Sequence, residues 1–174
     1  LWSRGLPAVE VAGAPLTRPA TDEGAPESAV VVVRLDSTVI QSASDKEGAQ
    51  ANYKGYGFFP LTAWCSNTGE NLVVQQRVGS AGSFTAEDHL KVTDAALAQI
   101  PASHRRDLLV TTDGAGASHA LIEHLTTLNT AVAHGRRGRR VEYSIGWALD
   151  ARTVDAIEAL PEAAWDPGLR ADGE

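Results

Sequence analysis

The sequence predicts an α/β domain built on a mixed β-sheet with helices packed against it. Three β-rich runs come first, joined by short links, and helix-like and strand-like patterns then alternate towards the end of the chain. With 174 residues, of which 43% are apolar, the chain has the length and composition of one domain with a sizeable core. We therefore expect a single sheet covered by amphipathic helices.

The first three predicted strands form an antiparallel meander. Four consecutive valines begin the first strand, which continues past Asp36. The link between the second and third strands contains Asn67-Thr68-Gly69, which is typical of a hairpin turn. The three predicted strands are residues 28–39, 57–64 and 71–78. Residues 1–28 are rich in proline, alanine and glycine, which predicts a poorly ordered lead-in before a folded domain at residues 29–174.

The rest of the chain alternates between helices and strands. The first helix follows Thr85 as N-cap and stops at Pro101, the second runs from beyond Gly116 to Gly135, and the third follows Asp150. Between them lie predicted strands at residues 107–112 and 141–148. Trp64 and Trp147 lie on predicted strands and are expected in the core. The order β-β-β-α-β-α-β-α matches the ribonuclease H-like plan, a mixed sheet flanked by helices.

Two aspartates stand at or near the ends of apolar strands. Asp36 follows a valine-rich run, and Asp113 follows the run that ends in Thr111 and Thr112. In the predicted plan the first and fourth strands are neighbours, so the two carboxylates converge. Converging hard oxygen ligands are what Mg²⁺ or Mn²⁺ requires. From the residues alone, a role for Asp113 as a plain helix N-cap is equally favoured.

Two other interpretations of these motifs are weaker. The phosphatases of the haloacid dehalogenase type need a second aspartate two residues after the first, and position 38 is Thr38. Gly114 and Gly116 after a strand resemble part of a dinucleotide-binding loop, but the third glycine of that fingerprint is replaced by His119. Neither pattern is complete.

The charge distribution leaves a nucleic-acid partner open. The net charge is −7, but residues 141–174 hold eight acidic and two basic residues, which leaves fourteen acidic and thirteen basic residues before them. Four arginines crowd residues 136–140, where a phosphate-binding loop and an ordinary solvated loop are equally favoured. We expect no membrane span and no signal peptide, and therefore a cytoplasmic protein. The single cysteine, Cys65, is expected to be a small buried hydrophobe.

Several motifs occur in an order that resembles a known family. They are Arg34-Leu35-Asp36-Ser37-Thr38-Val39, Ser44-Asp45-Lys46-Glu47-Gly48-Ala49, Tyr53-Lys54-Gly55-Tyr56-Gly57-Phe58-Phe59-Pro60-Leu61 and Thr112-Asp113-Gly114-Ala115-Gly116-Ala117-Ser118-His119, with further similarity at residues 77–89, 141–147 and 160–165. The chain from about residue 30 to residue 174 resembles the insertion-sequence DDE transposases of the group 1 DDE-domain type, bacterial enzymes with a ribonuclease H-like core. Their common order is more specific than any one motif.

The resemblance implies DNA transposition by metal-dependent phosphodiester cleavage and strand transfer. Asp36 and Asp113 would be two of three catalytic carboxylates that hold Mg²⁺ or Mn²⁺. The third, a glutamate, is expected beyond Glu174, so the chain would be an incomplete catalytic-core fragment. The alternative is a non-catalytic DNA-binding or interaction remnant of a transposase. The partners would be double-stranded DNA, as element ends and target, and a second copy of the chain bound to that DNA.

The resemblance is imperfect beside the expected site. Phe59 stands where the family usually has histidine, Ser80 and Phe84 where it has asparagine, and Gly114 where it has serine, and each change removes a polar group. Basic residues elsewhere are candidate DNA contacts, although ordinary surface roles are equally or more favoured for several of them. The candidates are Lys54, Arg77, His119, Arg136, Arg137, Arg139 and Arg140.

Overall fold

A five-stranded mixed sheet forms the centre of the protein. The computed structural model describes residues 2, 5–11, 14–18, 28–82, 85–130 and 138–166. Strands β1 to β5 are Val31–Ser37, Leu61–Cys65, Glu70–Gln75, Asp107–Thr112 and Arg140–Ile145. Their order across the sheet is β3-β2-β1-β4-β5. The first three pair antiparallel, whereas β4 is parallel to both β1 and β5, so the predicted α/β class with a mixed sheet is confirmed.

Two helices cover one face of this sheet. Helix α1 (Ala86–Gln99) packs over β1, β2 and β3, and α2 (His119–Thr127) packs over β5 and against α1. The apolar side chains between the helices and the sheet are almost fully buried, and burial stabilises the fold by about 1.5–3 kcal/mol for each large aliphatic side chain. These buried residues are Val31, Val33, Leu35, Leu61, Ala63, Cys65, Val92, Ala96, Leu97, Ile100, Leu108, Val110, Leu121, Leu125 and Val141. The buried position predicted for Cys65 is confirmed.

The opposite face of the sheet is open near the ends of β1 and β4. On β1, Arg34 and Asp36 are exposed, although the residues between and before them are buried. This alternation follows from the two-residue period of a strand, which sends successive side chains to opposite faces. Helix α3 (Ala151–Glu158) has no buried residue. Polar side chains on this face therefore remain accessible.

The predicted first and second strands are interrupted, which the sequence pattern did not indicate. β1 ends at Ser37, and the chain then forms a separate three-stranded sheet from Ile40–Gln41, Gln50–Asn52 and Gly55–Phe58 before β2 begins. Pro60 breaks the predicted second strand, since proline has no N–H for a ladder hydrogen bond. Gly57 has φ +148°, and a Cβ there would lie 2.0 Å from the carbonyl oxygen of Ile40. Glycine is therefore required at this position in the central strand of the small sheet.

Helix α2 is shorter than predicted. It ends at Thr127, because the next residues turn towards β5. The Asn129 side chain accepts a hydrogen bond from the Val141 N–H (2.8 Å) and donates one to the Val141 carbonyl (3.2 Å). The Thr130 N–H donates to the Arg139 carbonyl (2.9 Å). The predicted end at Gly135 lies outside the described residues.

The last predicted strand is also shorter than expected. β5 ends at Ile145, so Trp147 lies beyond it and is 58% exposed. The predicted core position of Trp147 is therefore wrong. The prediction for α3 is confirmed, since Asp150 occupies its N-cap and accepts a hydrogen bond from the Thr153 N–H at 2.7 Å.

The described part of residues 1–28 contains short paired strands. Glu10–Val11 pairs with Ala14–Pro15, and Thr17–Arg18 pairs with Ser28–Ala29. Trp2 packs against the core, where its indole N–H donates to Glu70 at 3.1 Å. No helix within the described part of the chain is long and apolar enough to cross a membrane.

Candidate active site

The carboxyl ends of three parallel strands meet at one edge of the sheet. Leu35 of β1 is paired with Thr112 of β4, and Asp36 and Asp113 are the residues that follow them. Neighbouring strands lie about 4.8 Å apart. The two aspartates are therefore adjacent, and this edge is where ligands bind in open α/β sheets.

The two aspartates line one open cavity. Its volume is about 310 Å³, and both aspartates are exposed to it. The other lining residues come from β1, β4 and β5. The residues that line the cavity are Arg34, Leu35, Asp36, Thr111, Thr112, Asp113 and Ser144.

Asp36 is fixed through its backbone, which leaves its carboxylate available. The Thr62 hydroxyl donates to the Asp36 carbonyl at 2.9 Å, and the Trp64 indole N–H donates to the same hydroxyl at 3.0 Å. Thr62 is paired with Asp36 across β1 and β2, so its hydroxyl lies on the open face. Within the described residues, the carboxylate of Asp36 has no hydrogen-bond partner. Its position is therefore set by the sheet.

Asp113 occupies the N-cap position, one of the two roles that the sequence left open. One carboxylate oxygen accepts a hydrogen bond from the Ala115 N–H at 2.9 Å and so caps the short 3₁₀ helix Gly114–Gly116. A carboxylate has about four lone-pair sites, so this cap leaves acceptor positions for a cation. The N-cap interpretation is confirmed in geometry, and it fixes the rotamer of a side chain that faces the cavity.

Two glycines allow the chain to pack closely around Asp113. A Cβ on Gly146 would lie 2.9 Å from the Gly114 nitrogen and 3.1 Å from the Asp113 carbonyl carbon. A Cβ on Gly116 would lie 2.3 Å from the Thr112 hydroxyl oxygen. Such separations are far inside normal contact, so any larger residue at either position displaces the loop that carries Asp113.

The available ligands fit one hard divalent cation. Asp36 and Asp113 supply carboxylate oxygens, and Mg²⁺ commonly binds one or two carboxylates while water and substrate phosphate complete its six ligands. No group of three histidine, cysteine, aspartate or glutamate residues able to hold a metal occurs in the described parts of the chain. A reaction with two ions would therefore need another carboxylate from elsewhere.

Arg77, a predicted DNA contact, is buried. It is 6% exposed, and its guanidinium donates to the carbonyls of Phe59 and Gly82 and to the Ser37 hydroxyl, each at 3.0 Å. It also lies 3.4 Å from Asp88 and 5.0 Å from the centre of the Phe59 ring. These contacts favour a structural role at the end of β1.

Lys54 and His119 are surface residues outside the lining of the cavity. Lys54 is exposed in the turn of the small sheet, and its ammonium lies 5.5 Å from the centre of the Tyr53 ring. His119 begins α2, and its ring makes an edge contact with the Trp147 ring, with 6.3 Å between ring centres. Both side chains are therefore accessible from solvent.

The two described arginines of the cluster, Arg139 and Arg140, are not at the aspartate edge of the sheet. Arg140 begins β5 and lies about 13 Å from Ser144 along that strand. Its guanidinium pairs with Glu142 at 2.7 Å, and Arg139 donates to the Leu128 carbonyl at 2.8 Å. Arg136 and Arg137 lie outside the described residues. The described arginines therefore lie at the opposite end of the strands from Asp36 and Asp113.

Four residues near the aspartates carried no site assignment from the sequence: Arg34, Thr62, Ser144 and Gly146. Arg34 lies two residues before Asp36 on the same strand, so strand alternation puts both side chains on one face. Thr62 is the residue paired with Asp36, so it could have been identified once the pairing of β1 with β2 was known. Ser144 needs the pairing of β4 with β5, and Gly146 needs the close approach to Asp113.

Comparison with protein-family models, curated proteins and solved structures finds no match to this chain. The relation to transposases therefore remains a hypothesis that depends on the ordered motifs and on the geometry of the sheet.

Proposed function

We propose that this chain is part of a ribonuclease H-like catalytic core of a DDE-type DNA transposase. The observation that carries the proposal is that Asp36 and Asp113 follow paired residues of adjacent parallel strands and line one cavity. The strand order β3-β2-β1-β4-β5, with only β2 antiparallel to its neighbours, supports the same plan. Ordered similarity of the motifs around both aspartates supports the family.

The residues of this chain would hold the ion and the phosphate. Asp36 and Asp113 supply the carboxylates, while Thr62 and the cap at Ala115 keep both in place. When bound, Mg²⁺ or Mn²⁺ would activate the attacking oxygen and stabilise the leaving oxygen. The Ser144 hydroxyl lies on the cavity wall and can donate a hydrogen bond to a phosphate oxygen.

We propose that the third carboxylate comes from outside the described residues, because a two-ion reaction needs it. The alternative, a non-catalytic DNA-binding remnant, is favoured by one observation: Phe59, which replaces the usual histidine, is 7% exposed and packs beneath the Arg77 guanidinium. An aromatic ring there supports the fold without a polar group for catalysis. Either way, the partner would be double-stranded DNA in the bacterial cytoplasm, bound by two or more copies of the chain.

The direct test of this function is nicking of supercoiled DNA in Mn²⁺. The chain is assayed alone and within any longer protein that its reading frame encodes, because the proposal takes the third carboxylate from outside the described residues. We expect Asp36→Asn to reduce Mn²⁺-dependent nicking by at least about a hundredfold, because losing a metal ligand removes several kcal/mol of transition-state stabilisation. Asp107→Asn is the matched control, since Asp107 begins the strand that ends beside Asp113.

Two outcomes would count against the catalytic proposal. Nicking that persists in Asp36→Asn would show that the site is misassigned. DNA binding without nicking in the longer protein would favour the non-catalytic remnant.

A further inference from the structure

Arg34 is the arginine that lines the cavity, and it lacks the internal contacts that hold several other arginines in place. The exposed Arg106 and Arg152 share this lack of side-chain partners among the described residues, but they do not line the cavity. Arg77, Arg105, Arg139 and Arg140 all donate hydrogen bonds within the protein. The side chain of Arg34 makes no hydrogen bond or ion pair with any part of the chain that the structure describes. Its guanidinium is therefore free to bind a ligand.

Strand geometry puts Arg34 beside the aspartates. It leaves β1 on the same face as Asp36, two residues earlier, which is a separation of about 7 Å along the strand. On either side it is paired with Trp64 of β2 and Thr111 of β4, and it lines the cavity with both aspartates. A cation and two carboxylates thus share one cavity.

A guanidinium beside two carboxylates suits a phosphodiester bound together with a metal ion better than it suits a metal ion alone. A cation close to a metal site weakens metal binding by repulsion, and nothing in the local packing needs this guanidinium, because Arg34 is exposed. Phosphate attracts both partners at once: a divalent ion coordinates one oxygen while a guanidinium donates paired hydrogen bonds to others. Thr111 and Ser144 are paired neighbours on the cavity wall and add hydroxyl donors on the far side.

We propose that Arg34 binds the phosphate group of the DNA strand presented to Asp36 and Asp113. The inference rests on the proposed function, because it assigns a substrate-binding residue to the same cavity. Arg34 fixes the phosphate against the carboxylate pair, and its positive charge offsets the negative charge of the phosphate oxygens. The competing role is that of a counter-ion that only reduces repulsion between the two aspartates.

Two measurements on the same variants separate these roles. The probe for binding is a short fluorescent DNA duplex in Ca²⁺, which allows binding without cleavage, and affinity is measured by anisotropy at several salt concentrations. The probe for the metal is Mn²⁺ alone. The variants are Arg34→Gln and Arg34→Lys, and Arg106→Gln is the control, since Arg106 is exposed at the opposite end of β4, about 23 Å from Asp113.

We expect Arg34→Gln to weaken DNA binding by about tenfold and to lower the slope of log affinity against log salt by about one. Arg34→Lys should recover part of the affinity, because it keeps the charge and loses the paired donors. Mn²⁺ should bind Arg34→Gln at least as well as the parent chain. Thermal unfolding identifies any variant that has lost its fold.

The inference would be overturned if Arg34→Gln had the same DNA affinity and the same salt slope as Arg106→Gln. The counter-ion role would then remain. The proposed function fails in a different way, if Mn²⁺ binding is unaffected by Asp36→Asn. The DNA comparison repeated in EDTA still decides whether Arg34 contacts phosphate.

Discussion

Arg77 is a buried cation whose donors point back into the protein. It connects the end of β1 at Ser37, the break between the two sheets at Phe59 and the start of α1 through Asp88. Three elements that meet at the aspartate edge are thus held by one guanidinium. Near the end of the predicted third strand, Arg77 was expected at the surface. Burial of a charge depends on partners that are distant in sequence, so the local pattern did not reveal it.

Arg77→Met should lower the free energy of unfolding by about 2–3 kcal/mol, because it leaves the carbonyls of Phe59 and Gly82 without their donors. Urea denaturation measures the change. Arg152→Met, an exposed substitution on α3, is the control and should lie within about 0.5 kcal/mol of the parent chain. A loss below about 1 kcal/mol for Arg77→Met would contradict the structural role.

At the scale of elements, the helix starts were easier to predict than the helix and strand ends. Asp150 and Thr85 occupy the predicted N-cap positions of α3 and α1, although only Asp150 accepts a side-chain hydrogen bond from the helix. Ser118, which caps α2 by accepting a hydrogen bond from the Leu121 N–H, was not predicted. A cap is a local feature that a few residues determine. The end of α2 and the ends of β1 and β5 depend on pairing with distant strands, so hydrophobic periodicity extended all three too far.

The Asp150 cap should be sensitive to acid. Hydrogen bonds from the Thr153 hydroxyl (2.6 Å) and N–H (2.7 Å) hold the pKa of Asp150 below its usual value of 3.8. A lowered pKa means that the cap stabilises the helix above about pH 4 and is lost as the pH falls through the folded-state pKa. An NMR titration of the Thr153 amide should therefore have its midpoint below pH 3.8.

Asp150→Asn is the control for that titration. Asparagine keeps the cap and removes the ionisable group, so the Thr153 amide should no longer shift in this pH range. A midpoint at or above pH 3.8 in the parent chain would show that the carboxylate is not held by these hydrogen bonds.

At the scale of the whole molecule, the order of elements was predictable from the sequence. Which face of the sheet the helices cover was not. Valine-rich runs and amphipathic segments predicted five strands in a mixed sheet, and from that order the adjacency of Asp36 and Asp113 follows. Which face the helices cover depends on tertiary packing. The sequence therefore did not reveal that Arg34 shares the open cavity with the aspartates.

The central claim is that Asp36 and Asp113 together bind one divalent cation, and Mn²⁺ binding followed by electron paramagnetic resonance tests it most directly. Asp36→Asn and Asp113→Asn should each weaken Mn²⁺ binding by about tenfold or more, because each removes one of two carboxylate ligands. Asp107→Asn, at the other end of β4, should leave the affinity unchanged. If both aspartate variants bind Mn²⁺ as tightly as the parent chain, the carboxylate pair is not a metal site.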